Sequence, residues 1–154
     1  MSGVRVLLAV DFSETSLQAI PVAKRLVAGL GAELVVVHAL APGGARRSYI
    51  PGRSSPPTPA QVMHSDSEEA QLNKLKEEHL ADLPNVTLQL VSGETAYQAI
   101  VDQAKRMRCD FIVLSTHGRR GLPRALMGSV AEGVVRSAHC PVVVVPTGDL
   151  KEHA

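Results

Sequence analysis

The residues with the most capacity for chemistry lie in one stretch, STHGRRGLPRALMGSV, from Ser115 to Val130. It holds three glycines, one histidine, three arginines and a Gly-Ser pair. A glycine-rich turn that runs from a strand into a helix offers unpaired backbone N–H groups and the positive end of a helix dipole, which together suit an anionic phosphate. Gly118 lets the backbone come close to such a group. Gly128 and Ser129 stand where the last helix would open, with the N–H groups of Ser129 and Val130 and the Ser129 hydroxyl aimed at the anion. The same residues also read as structure alone, with Gly118 a turn residue and Ser129 a first-turn cap.

The surrounding side chains add less. His117 has no carboxylate beside it in sequence and reads as a polar turn residue or a phosphate neighbour rather than a base. Arg119, Arg120 and Arg124 read equally as a screen for phosphate charge and as a solvated face. Arg46, Arg47 and Arg53 read as a basic loop rather than a lid. Asp11, after the first apolar run, is a cap or turn residue for the helix that follows, or a polar anchor for a ligand. No GxxxxGK[ST] is present and no GxGxxG follows the first strand, so the nucleotide hydrolase loop and the dinucleotide fingerprint are both absent.

The elements that must position these residues alternate along the chain. VRVLLAV (Val4 to Val10), AELVVVHAL (Ala32 to Leu40), VTLQLV (Val86 to Val91), DFIVLST (Asp110 to Thr116) and PVVVVP (Pro141 to Pro146) are short aliphatic runs of the kind covered on both faces of a sheet. Helical spacing joins Leu17, Ile20, Val22, Ala23, Leu26, Val27 and Leu30, with Ser13 as N-cap, Gly31 as the stop, and Pro21 bending the helix or resetting its start. A polar helix from about Ala60 to Leu83 places Val62, Leu72, Leu75 and Leu80 as its apolar positions. Another, from about Thr95 to Met107, is capped by Thr95 and carries Ala96, Ile100, Val101 and Ala104 on one face. A last helix opens near Gly128.

Strands alternating with helices imply right-handed crossovers and a five-stranded, doubly wound α/β domain with helices on both faces of a parallel sheet. In such folds ligands bind beyond the carboxyl ends of the strands. DFSET after the first strand, HAL after the second and STHGRRG after the fourth are therefore expected to meet. Residues 41–59, rich in Gly, Pro, Ser and Arg, read as a long mobile loop.

Composition narrows the rest. At 154 residues the chain is about one domain long, and a single domain over 1–154 is expected. Apolar residues make up 45%, charged residues 20% and aromatic residues 3%, so the core must be built from Val, Leu, Ile and Ala. A net charge of +1 indicates neither a nucleic-acid surface nor an acidic tail. No apolar run approaches a membrane span and Asp11 interrupts any signal-peptide core, so no membrane partner and a cytoplasmic location are expected. Cys109 and Cys140 lack a CxxC spacing and read as buried thiols.

Four segments in order, LLAVDFSETSLQAI, VVVHAL, THGRRG…LMGSVAE and CPVVVVP, resemble the universal stress protein family, and the resemblance covers nearly the whole chain except residues 41–59. It implies an adenine nucleotide alpha hydrolase-like fold with strand order 3-2-1-4-5. Nucleotide-binding members carry G-x2-G-x9-G-[ST]. If Gly118 and Gly121 opened that motif, its third glycine would fall on Ala131. With Gly118 as the second position the third is Gly128, followed by Ser129, and the first is Ser115, where the family has Gly. Ser115 thus adds a Cβ and a hydroxyl near the ribose, placed to crowd the sugar or to hydrogen-bond it.

Carried over residue by residue, the resemblance implies that Asp11 and the main chain at Ala39 hold the adenine and ribose. Gly118, Gly128, Ser129 and Val130 would hold the phosphates of ATP, ADP or AMP, with or without Mg²⁺. The function it implies is an ATP-binding, nucleotide-dependent stress-response regulator with no catalytic residue. A slow ATP hydrolase and a nucleotide-free dimeric interaction module are the alternatives. In every case PVVVVP, apolar and last in the sheet, is expected to pair with its twin in a homodimer.

Overall fold

The computed structural model describes residues 3–40, 59–116 and 127–147, with side chains in the helix that begins at 59 described from residue 66 onward. The first strand, β1 (Arg5–Ala9), is followed by a single helical turn, α1 (Glu14–Leu17), and by α2 (Ile20–Leu30). Then come β2 (Glu33–Ala39), α3 (Pro59–His79), β3 (Val86–Val91), α4 (Ala96–Arg106), β4 (Phe111–Ser115), α5 (Ser129–Ser137) and β5 (Val142–Val145).

The five strands form one parallel sheet in the order β3-β2-β1-β4-β5, as the sequence resemblance implied. Its central strand β1 is buried from Val6 to Val10. Alternating side chains divide the core into two layers, because successive residues of a strand point to opposite faces. Val6, Leu8, Leu34, Val36 and Val113 pack with Ile20, Ala23 and Val27 of α2 and with Leu72 and Leu75 of α3. Leu7, Ala9, Val35, Val37, Ile112 and Leu114 pack with Ile100, Val101 and Ala104 of α4 and with Ala131 and Val134 of α5. Aliphatic side chains without polar atoms can be buried on both faces at once, so the Val-rich runs become central strands. Among the described residues no helix is long and apolar enough to cross a membrane.

The expected first helix is split. Pro21 brings no N–H, so the chain turns once in α1, closes Gln18 N–H on Thr15 O and Ala19 N–H on Ser16 O, and restarts with Pro21 in the first turn of α2. Gly31 ends α2 in the left-handed conformation at φ 61. The polar helix stops at His79 rather than running on to Leu83. Lys24 Nζ donates to the His79 carbonyl at 3.1 Å and pairs with Asp82 at 2.7 Å, while Leu80 turns fully into the core. Pro59 opens that helix, so it belongs to α3 and not to the loop expected up to 59; the remainder of that expected loop, 41–58, lies outside the described residues.

The amino end of the sheet is closed by polar contacts. Arg5 Nε pairs with Glu33 at 3.0 Å, Arg5 Nη1 donates to the Met107 carbonyl at 2.8 Å, and the Arg5 N–H donates to Asp110 Oδ2 at 2.9 Å. Cys109 is buried and Cys140 half-buried, both free and both in the α4–α5 layer. Burial pushes the Cys109 thiol up to about 11 and also raises that of Cys140.

Candidate functional site

At the opposite, carboxyl end of the sheet the strand ends converge on a cavity of about 300 Å³. Asp11 after β1, Ala39 at the end of β2, and Ser115 with Thr116 at the end of β4 all line it, together with Gly128, Ser129 and Val130 at the start of α5. Six of the seven residues singled out in the sequence thus surround one space. The seventh, Gly118, lies outside the described residues, as do His117, the arginines at 119, 120 and 124, and those at 46, 47 and 53.

The cavity exists because its walls are small. Ala9, Ala39, Ala96 and Ala131 stand where larger aliphatic side chains would fill the gap between sheet, α4 and α5, and Ile100 and Leu114 form its apolar floor. Apolar walls with a few convergent polar groups are the usual make-up of a small-molecule site.

The β1–α1 turn supplies the carboxylate. Asp11 Oδ1 accepts the Ser13 N–H at 3.0 Å and also the Ser13 hydroxyl. Ser13 Oγ in turn caps α1 by accepting from Ser16 N–H at 3.1 Å, and the Asp11 N–H donates to Ser16 Oγ at 2.9 Å. Asp11 is therefore a turn-forming residue and a cavity-lining one at the same time, since one carboxylate has two oxygens. Phe12, next in the chain, adopts φ 66. A left-handed conformation costs an aromatic residue roughly 1–2 kcal/mol, so this turn is held by its surroundings.

The start of α5 supplies donors. Gly128 is buried, donates its N–H to the Thr116 carbonyl at 2.7 Å, and occupies the N-cap position at φ −57, ψ 151. Among the described residues no side-chain cap is made at this N-cap, since Gly128 has no side chain. By contrast Ser13 caps α1, and Thr95 Oγ1 accepts from Gln98 N–H to cap α4. Ser129 and Val130, both exposed, are the first two residues of α5, in the turn whose N–H groups have no partner within the helix.

Sequence reasoning missed five contributors. Ser16 and Thr116 line the cavity through long-range turn geometry that no local motif encodes. Ala96 and Ala131 matter by what they lack, which a pattern of apolar residues does not register. Gly133 lets α5 lie directly on Tyr97 of α4; a Cβ there would overlap the Tyr97 ring. Among the described residues no cluster of three or more His, Cys, Asp or Glu could hold a metal.

Residues 4–146 match the model of the universal stress protein family. The chain belongs to that family. A universal stress protein of Methanocaldococcus jannaschii is 30% identical over 141 residues, which span 92% of this chain and 81% of that one. Among solved structures, a universal stress protein in complex with cAMP superposes with a TM-score of 0.69 at 21% identity, covering 96% of this chain and all of that one (100%). A universal stress protein family member from Arabidopsis thaliana with AMP bound superposes with a TM-score of 0.62 at 18% identity, covering 95% of this chain and 93% of that one. At these identities the likeness to the solved structures is one of fold.

Proposed function

We propose that this universal stress protein binds an adenine nucleotide, ATP foremost, and acts as a nucleotide-dependent stress-response regulator. The observation that carries the reading is the convergence of Asp11, Ala39, Gly128, Ser129 and Val130, predicted from separate segments, on one cavity. The apolar slot between Ile100, Leu114 and the alanines suits a flat purine ring. The free carboxylate oxygen of Asp11 suits a ribose hydroxyl, and the uncapped start of α5, with Gly118, suits the phosphates. Family members of the same fold hold cAMP and AMP, which supports the ligand class.

Ser115 does not oppose this. It follows Phe111 and Val113 in the strand alternation, and these pack in the α2–α3 layer, whereas Leu114 faces the cavity. Alternation sets its side chain on the α2–α3 side and leaves its main chain to line the cavity, so Ser115→Gly is expected to change ATP affinity by less than about threefold, read by calorimetry.

Mg²⁺, where present, would sit with the phosphates. β5 is one of the two outer strands of the sheet and Val135 of α5 is 44% exposed, which supports a homodimer through Pro141 to Pro146. Two unbridged cysteines accord with the cytoplasm as its place of action.

The test is to purify the protein, denature it and identify any released nucleotide, then titrate ATP, ADP and AMP against wild type and Gly128→Glu. Nucleotide release, or saturable binding lost in the variant, is the expected result. No release and no titration signal would overturn the proposal. Asp11 is the only acid lining the cavity among the described residues, and ADP produced over hours would assign it a further, hydrolytic role.

A further inference from the structure

His38 lies near the carboxyl end of β2, 8% exposed. It alternates with Leu34 and Val36, so it sits on the α2–α3 face of the sheet, opposite the cavity. Three contacts surround its ring. Nδ1 stands 2.8 Å from the Val10 carbonyl oxygen, Nε2 stands 3.5 Å from Glu68 Oε1 on α3, and the Phe12 ring packs on it with centroids 4.4 Å apart.

Two of these contacts act on the way Asp11 is presented. The Val10 carbonyl and the Asp11 N–H belong to one planar peptide unit. Its N–H end donates to Ser16 Oγ on the cavity side, and its carbonyl end meets His38 from behind the sheet. The unit is thus held at both ends. Phe12, in the left-handed conformation immediately after Asp11, is braced by the same imidazole.

We infer that His38 is a positioning residue for the nucleotide site, a proton-dependent clamp joining α3 to the Asp11 turn; the inference rests on the nucleotide reading above. Both atoms that face the ring nitrogens are acceptors, the Val10 carbonyl oxygen and a Glu68 carboxylate oxygen. A neutral imidazole carries one N–H and can satisfy one of them, leaving a lone pair against the other. An imidazolium carries two, so it donates to the Val10 carbonyl and pairs as a cation with Glu68. With the proton in place, α3 and the turn are tied through one ring. Without it, one of the two contacts is lost.

The ionisable residues nearest Glu68 on α3 are Asp66 and Glu69, with Lys74, Lys76, Glu77, Glu78 and His79 farther along that helix; the β1–α1 turn brings Asp11 and Glu14, Arg5 and Glu33 stand at the far ends of β1 and β2, and β3 brings none between Val86 and Val91. Asp11 is engaged by Ser13, and Glu69 lines a groove against Leu88 and Leu90 of β3. Among the described side chains, Glu68 alone forms an ion pair with His38. Loss of the His38 proton therefore acts on that pair and on Val10. By linkage, a nucleotide that needs the turn in place also favours the proton on His38.

The test compares wild type with His38→Asn, which keeps an N–H donor where Nδ1 stood, His38→Gln, which keeps one where Nε2 stood, and Glu68→Gln. ATP affinity is measured by calorimetry at about pH 5.5, where protons on imidazoles are favoured, and at about pH 8. Wild-type affinity is expected to fall about fivefold more than that of His38→Asn over this interval, the lower end of ordinary coupling between sites. His38→Asn should match wild type at the lower pH, His38→Gln should bind weakly at both, and Glu68→Gln should bind well with no slope of its own. The titration of ATP itself is common to all four and cancels in the differences. In parallel, nitrogen NMR of the ligand-free ring should find hydrogens on both nitrogens at the lower pH. Equal slopes in wild type and His38→Asn, or a ring protonated on Nε2 alone, would overturn the clamp. If none of the four proteins binds ATP, the nucleotide reading fails separately. The ring protonation and the pH response of the Asp11 amide then still decide the inference.

Discussion

Two helices begin side by side on one face of the sheet, and they begin differently. α4 opens behind Thr95, whose hydroxyl accepts from Gln98 N–H at 3.2 Å. α5 opens behind Gly128, which has no side chain with which to do so. Gly128 is not required by its backbone, because φ −57, ψ 151 is open to any L-residue. Gly128 is buried and lines the cavity. At their far ends the helices are alike, each delivering a cysteine to the same layer. A helix start closed by its own chain is a structural device, whereas one left open next to a cavity leaves its donors for a ligand.

The comparison is broken most severely by making α5 begin as α4 does. Gly128→Asp gives α5 a capping carboxylate and sets a negative charge where phosphate would sit. Like-charge juxtaposition costs several kcal/mol, so ATP affinity should fall at least about 100-fold in calorimetry. The same cap should leave unfolding free energy unchanged or raise it by about 1 kcal/mol in a urea titration. Loss of both binding and stability would mean that Gly128 is structural.

Next in size is the contact that holds the two helices together. Gly133→Ala drives a methyl group into the Tyr97 ring and should cost about 2 kcal/mol of stability. Adding Tyr97→Ala should recover part of that loss, and a double-mutant cycle in urea measures the coupling. Independent costs for the two changes would show that the close approach of α4 and α5 is not set by this pair.

Removing the cap on the closed helix has a smaller effect. Thr95→Ala should destabilise the protein by about 1 kcal/mol and leave ATP binding as it was. A change in affinity as large as that of Gly128→Asp would erase the distinction between the two starts.

The far ends should respond least at neutral pH. Below the ordinary thiol value of 9.0 Cys109 is protonated whether folded or unfolded, so it makes no pH-dependent contribution there. As pH rises from 9.0 toward about 11 the unfolded thiol ionises and the folded one does not, so stability declines across that window. Cys109→Ala should flatten the decline in denaturation curves. Native protein should also react with iodoacetamide at Cys109 far more slowly than urea-unfolded protein.

Much of this was legible without coordinates. The five mainly aliphatic runs became the five strands within a residue or two, because a run dominated by apolar side chains has few places to go but the interior of a covered sheet. Thr95 and Ser13 were readable as caps, since capping is a contact between residues three apart. The glycine frame through Gly128 and Ser129 followed from the family resemblance and led to the cavity rim. The end of α3 was not readable, because Lys24, far away in sequence, takes the last helical carbonyl. The role of His38 was not either, because Val10 and Glu68 meet it only after β1, β2 and α3 have packed.

The sequence by itself determined the alternation of strands and helices, the two-faced burial of the sheet and the glycine that opens α5. All of these follow from local chemistry: side-chain polarity, β-branching and the residues that can begin or end a helix. Tertiary structure alone decided that Asp11, Ala39 and Gly128 share one space and that alanines keep it open. A cavity is made of residues distant in the chain, and its size is set by side chains that are missing. Only the packed sheet and helices bring those absences together.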